Sequence, residues 1–163
     1  MKIELRKTLL SDAKRYFEIL NHPDFHYFPA KPDSIKYERE FLKKLQQARK
    51  DGKEYSFAII ANKKNVGEAG IKIKDPPHVG NIGFFLDRRY WNKGITTKAV
   101  KLLEKFINDN LDIVRIEMCM AKENIASQKV AIKSGYIKEA TMKKYLKIND
   151  KYHDCYLYAK ILK

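Results

Sequence analysis

The stretch "RRYWNKGITTKAV", Arg88 to Val100, decides how this chain is read. Just before it, "VGNIGFFLD" is short, apolar and bounded, the pattern of a buried strand. Just after Gly94, "ITTKAVKLLEKFINDN" sets Ala99, Val100, Leu103, Phe106 and Ile107 on one helical face, with Thr96 or Thr97 placed to cap it. A strand therefore feeds a helix through a turn with a single glycine. The first turn of a helix carries N–H groups without intrahelical acceptors and the positive end of the dipole, so it attracts anions. Gly94 has no Cβ, which lets the amides from Asn92 to Thr96 close on a pyrophosphate, and Arg88, Arg89 and Lys93 surround it with positive charge. One glycine before a helix is by itself more often an ordinary turn, and the signal takes its weight from what surrounds it.

Working outward, "KIELRKT" alternates as a half-buried strand, and Ser11 and Asp12 offer caps for a helix that buries Ala13, Tyr16, Phe17 and Leu20. "NHPDFHYFPAKPDS" is rich in proline and aromatics, as expected of an ordered loop that touches a ligand. Ser34 caps a second helix with apolar positions Ile35, Phe41, Leu42, Leu45 and Ala48, ended by Asp51-Gly52. "EYSFAIIANKKNVGEAGIKIK" is a hairpin closed by a tight Asn-Lys-Lys-Asn turn. "DIVRIEMCMAKEN" alternates as a strand, "NIASQKVAIKSG" is a helix capped by Asn124 and stopped by Gly135, and the tail gives two strands around "INDK". The order βαα, ββ, βα, βα, ββ is that of a mixed α/β sheet.

The 163 residues fit one domain, 1–163, with 44% hydrophobic residues available for its core. No run of about 18 apolar residues occurs and the N-terminus mixes charge throughout, so a soluble, cytoplasmic chain with no membrane partner is expected. Cys119 and Cys155 lack metal-ligand spacing and read as separate, mostly buried thiols; no metal is expected. A net charge of +14, spread over almost every segment, favours anionic partners such as RNA or a phosphate-bearing cofactor and disfavours polycations. A lysine-rich composition with solvated side chains accounts for the charge equally well.

"NIGFFLDRRYWNKGITTKAV" resembles the cofactor-binding core of the GCN5-related N-acetyltransferases, the GNAT superfamily, in its RimJ/RimL branch. The resemblance continues in "ENIASQKVAIKSGYIKEA" and in "YHDCYLYAKIL". It implies the GNAT fold, a mostly antiparallel twisted sheet of about seven strands with four helices, and acetyl-CoA as co-substrate. Carried over by position, Phe85 and Leu86 would pair their backbone with the pantetheine arm. Asn92, Lys93, Gly94, Ile95, Thr96 and Thr97 would hold the pyrophosphate. Asn124 would contact the arm and Ser127 the sulfur, although as residues alone they also read as a helix cap and a surface hydroxyl. The chain departs from the family at Thr96, where a small residue is usual, at Ala131, where many relatives carry a tyrosine acid, and at Leu146, where some carry a carboxylate.

Acetyl transfer needs a neutral amine, a donor for the developing oxyanion and a proton for the departing thiolate. The Phe85-Leu86 strand end is the candidate oxyanion donor, Ser127 the candidate acid and Glu68 the first candidate base. Glu117 is second, and His26 and His153 are weaker candidates. An α-amine, with a pKa of about 7.7–8.0, suits a site without a strong base better than a lysine side chain near 10.4. The resemblance therefore implies acetylation of a protein N-terminus, ribosomal-protein-like, with proximity to the ribosome or RNA and a homodimer as further expectations. Acetylation of a polyamine or antibiotic, and a degenerate module that binds CoA or RNA without turnover, are the alternatives.

Overall fold

The computed structural model describes every residue except Ala30, which lies in the proline-rich loop and outside the described residues. Seven strands form one sheet in the order β1-β2-β3-β4-β5-β7-β6: β1 (Ile3–Lys7), β2 (Glu54–Ala61), β3 (Lys64–Ile73), β4 (Val79–Leu86), β5 (Arg115–Ala121), β6 (Ile137–Ile148) and β7 (Lys151–Ile161). The helices are α1 (Ala13–Leu20), α2 (Ile35–Lys50), α3 (Ile95–Asn110) and α4 (Ile125–Lys133). All pairings are antiparallel except β4 with β5. Element order, strand number and mixed sheet match the expected GNAT architecture.

Local chemistry accounts for most boundaries. The Ser34 side chain accepts from the Tyr37 amide and starts α2, and Asn124 accepts from the Ser127 amide and starts α4. Asn62 and Lys63 both have positive φ, as the two-residue turn between β2 and β3 requires, and Asn149 and Asp150 do the same between β6 and β7. Three expectations are corrected. The cap of α3 is Gly94 at φ +70, with Thr96 and Thr97 inside its first turn, because the left-handed backbone at the helix entry favours glycine. Ile35 and Phe41 stand on the exposed side of α2, whose buried stripe runs instead through Glu38, Leu42 and Leu45. Cys119 and Cys155 are adjacent and not separate: Cys119 opposes Leu157 and Ala121 opposes Cys155, a diagonal that brings the Cα atoms to 6.2 Å and the sulfurs together.

Alternation along the strands gives the sheet two apolar faces. On one, Phe57, Ile59, Ile71, Ile82, Leu86, Ile116 and Met118 pack against α3 residues Ala99, Val100, Leu103 and Ile107, with Ala131 of α4 in the same cluster. On the other, Ala58 and Phe85 meet Tyr16, Ile19 and Leu20 of α1 and Leu42 and Leu45 of α2. Each large apolar side chain taken from water contributes about 1.5–3 kcal/mol, so these two clusters hold the sheet between its helices. The parallel pairing of β4 with β5 is confined to Val79–Asn81 against Arg115–Glu117. Beyond that point the two strands diverge and leave a gap through the middle of the sheet.

Candidate functional site

A cavity of about 620 Å³ occupies this gap. Its walls are Ile82–Leu86 of β4 and Met118–Ala121 of β5, and it reaches the 91–97 loop, the first turns of α4 and the loop between α1 and α2. Register fixes which backbone groups face it. The Asp87 amide donates to the Val66 carbonyl, so odd-numbered β4 residues spend their polar groups on β3. Phe84 and Leu86 therefore turn theirs into the gap. This refines the expectation for Phe85-Leu86: Leu86 presents its backbone to the cavity, while Phe85 contributes its ring, edge-on to Tyr16 (5.1 Å) and Phe28 (5.6 Å). The same alternation turns the backbone of Cys119 and Ala121 toward the cavity from β5, because Lys122 and Val114 mark the even residues as bonded to β7.

At the end of β4 the chain makes a 3-10 turn, Arg88–Tyr90, capped by the Asp87 carboxylate on the Arg89 amide. Trp91 Nε1 reaches back to the Leu86 carbonyl (2.7 Å), and its ring packs against Phe25 at 5.8 Å. Asn92 and Gly94 both take positive φ, which curls the loop so that successive amides converge. Among the described residues the amides of Ile95, Thr96 and Thr97 have no backbone acceptor, and nothing lies within 4 Å of where a Gly94 Cβ would stand. Open space, unsatisfied donors and a helix dipole converge at one point, which fits a pyrophosphate. Asn92, Lys93, Gly94, Ile95, Thr96 and Thr97 all line the cavity, as do Lys129 and Lys133 of α4.

Asn124 and Ser127 line the opposite side of the same cavity, with the Ser127 amide held 3.1 Å from Asn124 Oδ1. Asn124 is thus both helix cap and cavity wall. The other mouth is walled by Phe25, His26, Tyr27 and Phe28 and, from β6, by Leu146. His26 and the aromatic loop thus line this end of the cavity. The methionines Met118 and Met120 line the cavity too, and strand alternation alone marks them only as core.

Glu68 is not among the lining residues. It stands on β3 directly across from Phe85, with its carboxylate near the hydroxyls of Thr8 (3.4 Å) and Ser56 (3.5 Å). Burial, helped by the nearby Glu38 carboxyl, pushes it up to about 8. The structure therefore does not bring Glu68 and Ser127 together on one wall. Glu117 is unsuited to be a base: Lys74 (2.7 Å) and Arg115 (2.8 Å) bind its carboxylate and, against the opposing effect of burial, hold it below its ordinary value. His153 lies 3.5 Å from Glu123 on β7, outside the lining. The residue that sequence reading missed is Asp87, into which Arg15 of α1 and Arg89 both donate. Burial opposes its ionisation, yet the hydrogen bonds from Arg89 and Arg15 hold it far below the usual carboxylate range. An acidic residue just after an apolar strand and followed by two arginines was the available signal.

Comparison with known proteins bears on the family and the fold. A sequence profile described as acetyltransferase (GNAT) domain matches residues 2–137. The chain is 29% identical over 125 residues to the probable N-acetyltransferase YjcK of Bacillus subtilis (strain 168), covering 74% of this chain and 69% of the relative. Its fold superimposes on RimL, the ribosomal L7/L12 alpha-N-protein acetyltransferase in complex with coenzyme A, with a TM-score of 0.92 at 21% identity, over 99% of this chain and 95% of that one. It superimposes on the ribosomal-protein-S5-alanine acetyltransferase from Vibrio fischeri with a TM-score of 0.87 at 27% identity, over 99% of this chain and 93% of that one.

Proposed function

The chain belongs to the GNAT acetyltransferase family, and from that premise we propose that this acetyl-CoA-dependent N-acetyltransferase acts on the α-amine at the N-terminus of a protein. The observation that carries this reading is the charge of the cavity wall. Asp24 is the only carboxylate among the described lining residues, and Arg88 is ion-paired with it. A polycationic amine finds nothing there to neutralise it, and a lysine side chain finds no free carboxylate to deprotonate it. An α-amine, about a tenth neutral at pH 7, needs neither. The names of the ribosomal relatives describe acceptors of this kind.

Acetyl-CoA supplies the activated thioester carbonyl. The 92–97 amides hold its pyrophosphate end, and the backbone of Leu86, with Phe84 behind it, holds the arm in the gap. The Leu86 N–H points to where the carbonyl oxygen gains charge, and Ser127 Oγ donates toward the sulfur. The amine nitrogen bonds to the carbonyl carbon, the carbon–sulfur bond breaks, one proton leaves the nitrogen and the thiolate sulfur gains one. Glu68 stands behind this site with its carboxyl raised to about 8, so the α-amine attacks from the neutral fraction it already holds and releases its proton to water.

The test is to incubate the protein with acetyl-CoA and a panel of N-terminal peptides, polyamines and aminoglycosides, and to look for a gain of about 42 Da, one acetyl group. Peptides should be modified; acetylation of polyamines alone contradicts the reading, and CoA binding without any product points to a degenerate module. In the same assay Ser127→Ala should lower kcat by about 10²–10⁴-fold, and unchanged turnover removes the serine from the mechanism; Glu68→Gln should leave kcat within about twofold, and a larger loss would make Glu68 the base.

A further inference from the structure

A β-bulge on β6 stands beside the aromatic mouth of the cavity. On β6 the register with β7 runs from Met142 opposite Cys155 to Leu146 opposite His153, so Lys143, Lys144 and Tyr145 stand against the single residue Asp154. The bulge is fixed in place: Lys144 has φ +49 and its amide donates to Asp154 Oδ1 at 2.9 Å. Bulges of this kind re-aim side chains, and here all three point to solvent, with Tyr145 60% exposed. Leu146, the next residue, lines the cavity.

The lysines at this end of the hairpin are also electrostatically open. Among the described residues Lys143, Lys144 and Lys151 have no carboxylate partner, whereas Lys147 pairs with Asp150 and Arg115 with Glu117 and Glu139. Asp154, bound by the Lys144 amide, is the carboxylate at the bulge, and two lysines stand against it. We propose that the Lys143–Tyr145 bulge binds an acidic segment of the acceptor polypeptide just behind its reacting amine, so that the enzyme selects N-termini followed by aspartate or glutamate. An extended chain advances about 3.3–3.6 Å per residue, so the acidic positions fall a few residues behind the amine. A single-stranded RNA would be attracted by the same lysines, but the continuity of the bulge with the cavity wall through Leu146 favours the chain that delivers the amine.

This inference rests on the proposed N-terminal acceptor. Peptides sharing their first two residues and carrying glutamate, glutamine or lysine at positions three to six are compared by kcat/KM in the wild type and in the double variant K143Q/K144Q. The acidic peptide should be preferred over the neutral one by about tenfold, the preference should shrink severalfold at about 0.3 M salt, and the variant should lose it while acetylating the neutral peptide as before. Equal use of acidic and neutral peptides, or a preference that survives in the variant, overturns the docking role alone. Modification of small amines with no peptide modified overturns the acceptor reading together with it. Binding of a poly-uridine probe that the variant loses, with no change in peptide preference, reassigns the bulge to RNA.

Discussion

Gly94 is where backbone geometry and chemistry meet most closely. At φ +70 a Cβ costs about 1–2 kcal/mol, and that carbon would enter the open space toward which the loop amides converge. Gly94→Ala should therefore raise the Kd for acetyl-CoA at least about tenfold in calorimetry while lowering the melting temperature by only about 2–8 °C. An unchanged Kd would place the pyrophosphate elsewhere. The importance of Gly94 was legible in the sequence because glycine before a helix has a restricted set of physical uses. Which β4 residue turns its backbone to the cavity was not legible, since Phe85 and Leu86 are both apolar and only the pairing with β3 distinguishes them. Glu68 shows the complementary limit: the hairpin reading put it on β3 next to the cofactor strand, but that it is buried beside Thr8 and Ser56 and off the cavity wall follows from how the neighbouring elements pack.

At the scale of elements, the turn after β4 is tied to its neighbours by two side chains. Asp87 gathers Arg15 from α1 and Arg89 from the turn itself, and Trp91 links the Leu86 carbonyl to the Phe25 ring of the loop between α1 and α2. The Trp91 hydrogen bond is worth about 1 kcal/mol and the aromatic pair about 0.5–1.5 kcal/mol. Trp91→Ala should thus weaken acetyl-CoA binding about tenfold and raise KM for the peptide as well, because one residue holds both walls. Trp91→Phe, which keeps the ring contact and loses the N–H, should lie between. If steady-state kinetics show KM for the peptide unmoved, Trp91 serves the cofactor side alone. The strands and helices were readable because periodicity and caps are local properties. The exposed Ile35 and Phe41 were not, because a helix with apolar residues on two adjacent sides buries whichever the sheet meets.

Across the whole molecule, a net charge of +14 coexists with a small buried acidic region. Glu38, only 5% exposed on α2, and Glu68 on β3 are both raised by burial, Glu38 to about 7. A carboxyl whose folded pKa lies above its ordinary 4.5 binds more protons in the native state, so it costs stability as pH rises from about 4.5 through 7. Glu38→Gln should be nearly neutral at about pH 5 and stabilising by about 1–3 kcal/mol at about pH 8.5, read from denaturant midpoints. A variant less stable at the higher pH would show that the carboxylate is paired there. The sheet gap that these helices flank exists because β4 and β5 pair over only three residues, and it joins the anion loop to the aromatic mouth. The central claim, that this through-sheet cavity delivers acetyl groups to α-amines, is tested most directly on one peptide with a free N-terminus and an internal lysine. Incubated with acetyl-CoA and sequenced by tandem mass spectrometry, it should carry acetyl on the α-nitrogen; acetyl on the lysine ε-nitrogen would contradict the account.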